Sequence, residues 1–264
     1  MDLGIRGKTA IVCASSKGLG RGSAMALAEA GVNLVLNARG AAALTATADE
    51  IRAKHQVQVV TVPGDVTTDA IQAELVGQAN EMAGGAVDIL VNNAGGPPPG
   101  MWTDWERDDW EKALNANMLT PIFLMKAVLP GMIDKRWGRV VNITSQSVKT
   151  PIGVLGLSNS ARAGLTGYVA GTSRQVAQYG VCINNLLPGG HETDRVASLD
   201  AAESAKTGES VEVIHARKCA AIPTKRMGTA QEFGATCAFM CSQHVGFMIG
   251  QNVLLDGGIG NSTM

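Results

Sequence analysis

Short apolar runs alternate with longer amphipathic stretches along most of the chain. Thr9–Ala14, Asn33–Leu36, Val57–Val62, Asp88–Val91, Arg139–Ile143, Val181–Leu187 and Asn252–Leu255 read as strands. Several lack a polar alternation, as expected of strands covered on both faces. Between them, Leu19–Ala30, Ala41–His55, Asp69–Ala83, Asp108–Arg136, Ser158–Tyr179 and Thr229–Ser242 read as helices. Gly31 and Gly180 follow two of these as C-terminal stops. Seven strands alternating with six helices predict an α/β fold: a doubly wound, seven-stranded parallel sheet with helices on both faces.

One stretch interrupts the rhythm. Glu192 to Arg226 is long, polar and helix-leaning, and it begins just beyond the end of a predicted strand. Ligands bind outside the carboxyl ends of strands in open α/β sheets, so residues 192–226 are expected to form a substrate lid. A plain surface insertion is the alternative.

Composition narrows the class. At 264 residues and 45% hydrophobic content, the chain can bury a substantial core as one domain spanning residues 1–264. Its 22 basic and 23 acidic residues nearly cancel, with no basic run or stripe, so neither nucleic acid nor an anionic membrane is an expected partner. No apolar stretch reads as a bilayer span, and the N-terminal residues lead straight into the first strand without a signal-like segment. Five cysteines lack a C-x-x-C motif, which fits a reducing cytoplasm. Cys237 and Cys241, four apart on a predicted helix, read as core thiols, and no metal site is expected.

The candidate chemistry begins at the first strand-to-helix turn, Cys13-Ala14-Ser15-Ser16-Lys17-Gly18-Leu19-Gly20. Gly18 and Gly20 let the backbone approach a pyrophosphate, and the following helix N-terminus presents free N–H groups to the anion. The strand before and the helix after make this a dinucleotide-site signal and not simply a glycine-rich turn.

From here the chain resembles the classical short-chain dehydrogenase/reductase family, whose fold is Rossmann-type. The family's T-G-x-x-x-G-x-G pattern maps onto Cys13 to Gly20, with Cys13 and Ala14 in place of its first Thr and Gly. Ala14 is a mild departure provided that its backbone angle suits alanine. Asp65-Val66 follows the third strand, where the family contacts adenine. Asn92-Asn93-Ala94-Gly95 matches the N-N-A-G motif beside the adenosine ribose. Asn117 matches the helix asparagine of the active site, and Asn142-Ile143-Thr144-Ser145 the strand end carrying a catalytic serine. Pro188-Gly189 with Thr193 matches P-G-x-x-x-T on the nicotinamide side, and Leu255-Asp256-Gly257-Gly258 the last strand and tail. The resemblance covers nearly the whole chain, and it implies a dimer or tetramer of identical subunits and a small-molecule substrate.

Charge bears on the cofactor. A preference for the nonphosphorylated dinucleotide usually needs an acid at the end of the second strand, where this chain has Asn37-Ala38-Arg39. Arg39 and Lys17 offer cations for a 2′-phosphate, so NADP(H) is the expected cofactor.

The catalytic motif departs from the family pattern. Where the resemblance implies Tyr-x-x-x-Lys, the chain has Ser158-Asn159-Ser160-Ala161-Arg162. Ser158 stands thirteen residues after Ser145, the usual serine-to-tyrosine spacing, so no gap is needed. Tyr168 lies about 15 Å further along the helix and is rotated by roughly 280° from Ser158, so it cannot substitute. Tyr179 is farther still. Serine is a poor acid at neutral pH, and Arg162 cannot be deprotonated, though it can bind ribose hydroxyls and stabilise negative charge. His191, at the end of the sixth strand, is a candidate acid and cofactor neighbour, or else a lid anchor. Lys149 and Gln146 are candidate cleft residues or ordinary loop residues.

Three functions follow from these features. One is an NADP(H)-dependent carbonyl or alcohol oxidoreductase, of the 3-oxoacyl carrier-protein reductase kind, with a non-standard proton donor. Another is a nucleotide-binding scaffold without reductase activity. The third is elimination or dehalogenation chemistry; halohydrin dehalogenases, however, keep the tyrosine and lose the nucleotide site, the opposite of this chain. Trp102, Trp105 and the lid's Leu199, Val211, Val213 and Ile214 are candidate substrate contacts or packing residues.

Overall fold

The computed structural model describes residues 1–261. One sheet runs in the order β3-β2-β1-β4-β5-β6-β7, and every pairing in it is parallel. Its strands are β1 (Thr9–Val12), β2 (Asn33–Ala38), β3 (Val59–Pro63), β4 (Ile89–Asn92), β5 (Gly138–Ile143), β6 (Val181–Pro188) and β7 (Asn252–Leu255). β1, β4 and β5 are buried along their whole length, which is why their sequences carry no polar alternation. β1 ends at Val12, two residues earlier than the apolar pattern suggests, because Ala14 takes φ +47° and leaves the extended region. The left-handed backbone costs an L-residue with a Cβ about 1–2 kcal/mol, so alanine is strained at this point of the turn.

Helices cover both faces. α1 (Gly18–Glu29), α2 (Ala41–Lys54) and α9 (Ala230–Met240) pack on one side through Leu27, Leu44, Ile51 and Phe233. α3 (Asp69–Met82), α5 (Thr120–Asp134) and α6 (Gly156–Val176) pack on the other through Leu75, Leu124 and Leu165. α1 and α9 approach so closely that a Cβ on Gly22 would sit 2.2 Å from the Ala230 carbonyl oxygen. A Cβ on Gly234 would sit equally close to the carbonyl oxygen of Gly22.

The stretch expected as one helix, 108–136, is α4 (Arg107–Leu114), a π-helical turn (Asn115–Leu119) and α5 in unbroken succession. This 28-residue run is apolar and long enough to cross a membrane, contrary to the expectation that no segment would be. Its apolarity has an outlet within the fold: Leu124, Met125, Val128, Leu129 and Met132 are buried against the sheet. The 192–226 excursion folds into α7 (Asp194–Thr207) and α8 (Val211–Ala221), which pack on each other.

Candidate active site

The glycine turn and the β4 exit flank the point where strand order reverses, between β1 and β4. Gly18 has φ +51°, and a Cβ on Gly20 would lie 2.2 Å from the Ala14 carbonyl oxygen, so both positions require glycine. Lys17 caps α1 without a side-chain hydrogen bond, and no acid occupies the first turn. The first-turn N–H groups, including those of Gly18, Leu19 and Gly20, therefore remain open to an anion, which fits a dinucleotide pyrophosphate. Ser15, expected among the cofactor contacts, is fully buried. Its N–H and hydroxyl both donate to the Asn37 carbonyl, at 2.9 and 3.2 Å, so it shapes the turn and does not face the cleft. The Ser16 carbonyl accepts from Thr47 at 3.1 Å.

Lys17 Nζ lies 3.0 Å from Asp194 at the start of α7. Both side chains are more than half exposed, so the pair is weak and a phosphate can compete for the lysine. Arg39 stands exposed immediately after β2. The exposed Asp65 closes a turn by accepting from Thr67 N–H at 3.0 Å, while Val66 is buried. Beyond β4, Asn93 Nδ2 reaches the Ala14 carbonyl at 3.4 Å and ties the two loops together. Ala94 lines the cleft and Gly95 is exposed beside it. Pro188 ends β6, Gly189 N–H donates to Leu255 at 2.7 Å, and the Thr193 hydroxyl caps α7.

His191 is a structural anchor rather than a cleft acid. It is buried edge-on against Phe233, with ring centroids 5.3 Å apart. Its Nδ1 lies 3.2 Å from the Gly189 carbonyl oxygen, and desolvation pushes its pKa down.

The catalytic candidates meet at the carboxyl end of β5. Asn117 sits in the π turn, buried, with Nδ2 on the Ala113 carbonyl and Oδ1 unpartnered among the described residues. Ser145 Oγ accepts from Ser147 N–H at 3.1 Å, which leaves its own proton free to donate. Arg162 is buried; its Nη1 donates to the Ile143 carbonyl at 2.9 Å and its Nε to Ser158 Oγ at 3.2 Å. Desolvation, with a smaller push from the Arg195 charge, lowers the guanidinium pKa to about 10, so it stays cationic at neutral pH. The cleft at this point is lined by Asn92, Asn93, Asn117, Asn142 and Arg162 together with apolar groups. Among the described residues, its lining holds no group that titrates near neutrality.

Sequence reasoning missed an amide network that runs out from this cleft through Asn92 and Asn142. Asn92 Nδ2 donates to Asn142 at 2.8 Å, Asn142 to Asn185 at 3.2 Å and Asn185 to Asn252 at 2.8 Å. The four amides thus form a ladder across β4, β5, β6 and β7, and parallel register aligns them. The available signal was an asparagine within each of these otherwise apolar strands. The substrate candidates divide: Trp105 packs edge-on against Trp110, whereas Trp102 is exposed. In the 192–226 segment, Ile214 is fully buried, while Leu199, Val211 and Val213 are exposed. Arg195 of α7 donates to the carbonyls of Gly96 and Pro97, at 2.7 and 3.0 Å, and so joins the 192–226 segment to the loop after β4.

Comparison with known proteins agrees with this geometry. The family model for short chain dehydrogenases matches residues 8–204. The 3-oxoacyl-[acyl-carrier-protein] reductase FabG of Vibrio harveyi is 33% identical over 97% of this chain and 99% of its own length. The acetoacetyl-CoA reductase of Cupriavidus necator is 33% identical over 66% of this chain and 67% of its own. The solved L-sorbose reductase of Gluconobacter frateurii, complexed with NADPH and L-sorbose, superposes with a TM-score of 0.94 at 25% identity, covering 99% of this chain and 100% of that one. Sheet order, glycine turn and sequence matches together show that the chain belongs to the short-chain dehydrogenase family of oxidoreductases.

Proposed function

We propose that the chain interconverts a carbonyl and an alcohol with NADP(H), using a cleft in which Arg162 and Ser158 take over the roles of a tyrosine–lysine pair. The observation that carries this reading is the hydrogen bond from Arg162 Nε, on the cleft lining, to Ser158 Oγ, with both residues buried. A degenerate site would have little reason to keep a desolvated cation at that point.

Bound NADPH would supply the hydride, with the open α1 N-terminus, Lys17 and Arg39 holding its phosphates. Ser145, whose oxygen already accepts from Ser147, hydrogen-bonds the substrate oxygen through its hydroxyl and keeps its proton. Ser158 accepts from Arg162 and can in turn donate to the same oxygen. Arg162 stabilises the negative charge that develops there, where low local dielectric strengthens the interaction. With no titrating group in the lining, the proton comes from water relayed through the Ser158 hydroxyl. The segment 192–226 acts as the lid, held down by Arg195. The named relatives favour a 3-oxoacyl thioester or a keto sugar as substrate. The exposed Phe123 and Phe247 support assembly into a homo-oligomer.

The second reading, a nucleotide-binding protein without turnover, is favoured by one observation: the absence of a titrating side chain among the described cleft residues. NADPH binding by fluorescence, followed by NADPH oxidation with 3-oxoacyl thioesters and keto sugars, separates the two. The proposal expects turnover that drops about 10²-fold in Ser158→Ala with NADPH affinity unchanged. Tight NADPH binding with no turnover on either substrate class would support the scaffold reading instead. The Ser158→Tyr, Arg162→Lys double variant then tells whether a conventional pair raises the rate.

A further inference from the structure

We propose that Glu192, His215 and Cys219 form a site for a divalent transition-metal ion, best suited to Zn²⁺, that ties the second helix of the 192–226 segment to the exit of β6. His215 and Cys219 are four apart on α8 and therefore share a face. Glu192 reaches them from the chain leaving β6, just before Thr193 caps α7.

The spacing is that of a coordination shell. His215 Nε2 lies 3.1 Å from Glu192 Oε1 and 3.4 Å from Cys219 Sγ, and all three ligand atoms lie within 4.8 Å of one another. Tetrahedral zinc bond lengths place neighbouring nitrogen and oxygen ligands about 3.3 Å apart, and nitrogen and sulfur about 3.5 Å apart. A single Nε2–H can be aimed along only one line, whereas Nε2 here faces a carboxylate oxygen and a sulfur at once. A cation between the three atoms serves all of them.

The surroundings prepare the imidazole for this role. Asp200 of α7, only 1% exposed, places Oδ2 3.1 Å from His215 Nδ1. Lys218 Nζ, 2.6 Å from Oδ1, keeps Asp200 in its carboxylate form. Asp200 therefore accepts the Nδ1 proton and leaves the Nε2 lone pair facing the other two ligands. Such a carboxylate behind a ligating histidine orients the ring and raises its basicity. Binding releases the thiol proton of Cys219, and any proton on Nε2, to solvent. Thiolate and imidazole ligands favour zinc and similar ions over Mg²⁺ or Ca²⁺, which prefer all-oxygen shells. Glu192 is exposed, so an ion has an entry path and a solvent molecule can complete the shell.

The test uses the full-length chain, stripped with a chelator and titrated with Co²⁺. Cys219 is the one cysteine that is not buried, so a thiolate signal has one accessible source. The site predicts one Co²⁺ per chain, with a thiolate-to-cobalt charge-transfer band and the strong visible absorption of four-coordinate cobalt, both removed by added Zn²⁺. Cys219→Ser abolishes the charge-transfer band. Asp200→Asn weakens binding about 10–100-fold by releasing the ring. Because that variant alters a buried ion pair, Glu192→Gln, at an exposed side chain, supplies an independent loss of affinity. Failure to take up a stoichiometric ion, a six-coordinate spectrum without the thiolate band, or a band that survives Cys219→Ser would each overturn the proposal.

Discussion

Replacing Arg162 by methionine separates what the cation contributes to stability from what it contributes to chemistry. The guanidinium is buried and its pKa is lowered to about 10. A fall of roughly 2.5 pH units from the ordinary value corresponds to a folding cost of about 3 kcal/mol for holding the charge there. Arg162→Met removes that cost. It also removes the donor to the Ile143 carbonyl, and an unsatisfied buried acceptor costs about 1–3 kcal/mol. The Ser158 hydroxyl loses one donor. The two effects nearly offset, as is common when a buried ion gives way to an apolar side chain of similar size. Urea denaturation should therefore place Arg162→Met within about 2 kcal/mol of the parent. Turnover should fall about 10²–10³-fold, the usual effect of removing one group that stabilises a developing oxyanion. Arg162→Lys keeps a positive charge and should fall in between. The reasoning fails if Arg162→Met retains turnover within about threefold of the parent. It also fails if stability drops by more than about 4 kcal/mol, which would make the arginine a structural element.

Four other changes test separate parts of the structure. Ala14→Gly, which removes a Cβ at φ +47°, should stabilise the chain by about 0.5–1 kcal/mol after the entropy cost of glycine, and raise Tm by about 1–3 °C. Gly20→Ala brings a Cβ to 2.2 Å from the Ala14 carbonyl oxygen and should destabilise by about 3 kcal/mol while abolishing NADPH binding, both read on one sample. Arg195→Ala loses the two hydrogen bonds to the β4 loop and should speed NADP(H) release about tenfold in stopped-flow, with unchanged Tm because the side chain is exposed. Glu232, whose pKa is lowered to about 2 by Arg226 and the Thr229 capping contacts, stabilises the start of α9 only while ionised. That contribution is complete above the ordinary carboxylate range and is lost as pH falls through about 2, so the Tm gap between the parent and Glu232→Gln should close over that interval.

Much of the architecture was legible in the chain because a sheet covered on both faces leaves a plain record. The runs at β4 and β5 are apolar without alternation, and helix-length stretches separate them, which permits few arrangements besides a doubly wound parallel sheet. The glycine turn was legible for a similar reason: Gly18 and Gly20 meet local steric demands that neighbouring residues cannot change. Strand ends were less so. β1 stops at Val12 because Ala14 turns into the left-handed region, which the alanine itself does not announce. The π turn at Asn117 was equally hidden, since Asn115–Leu119 contains no glycine or proline to mark a break in the helix.

The candidate site divides along the same line. Sequence alone gave the expectation that Ser158 and Arg162 stand where the resemblance implies a tyrosine and a lysine, and it set Tyr168 and Tyr179 away from that point, because helix geometry follows directly from residue spacing. Tertiary structure decided what those residues touch. It buried Arg162 against the Ile143 carbonyl and the Ser158 hydroxyl, turned His191 onto Phe233, and aligned four asparagines across four strands. It also brought Glu192 to His215 and Cys219 across the 192–226 excursion. Apart from the Arg162–Ser158 bond, one helical turn apart, these depend on contacts between residues distant in the chain, and on desolvation that exists only once the helices have closed over the sheet; a linear pattern records neither.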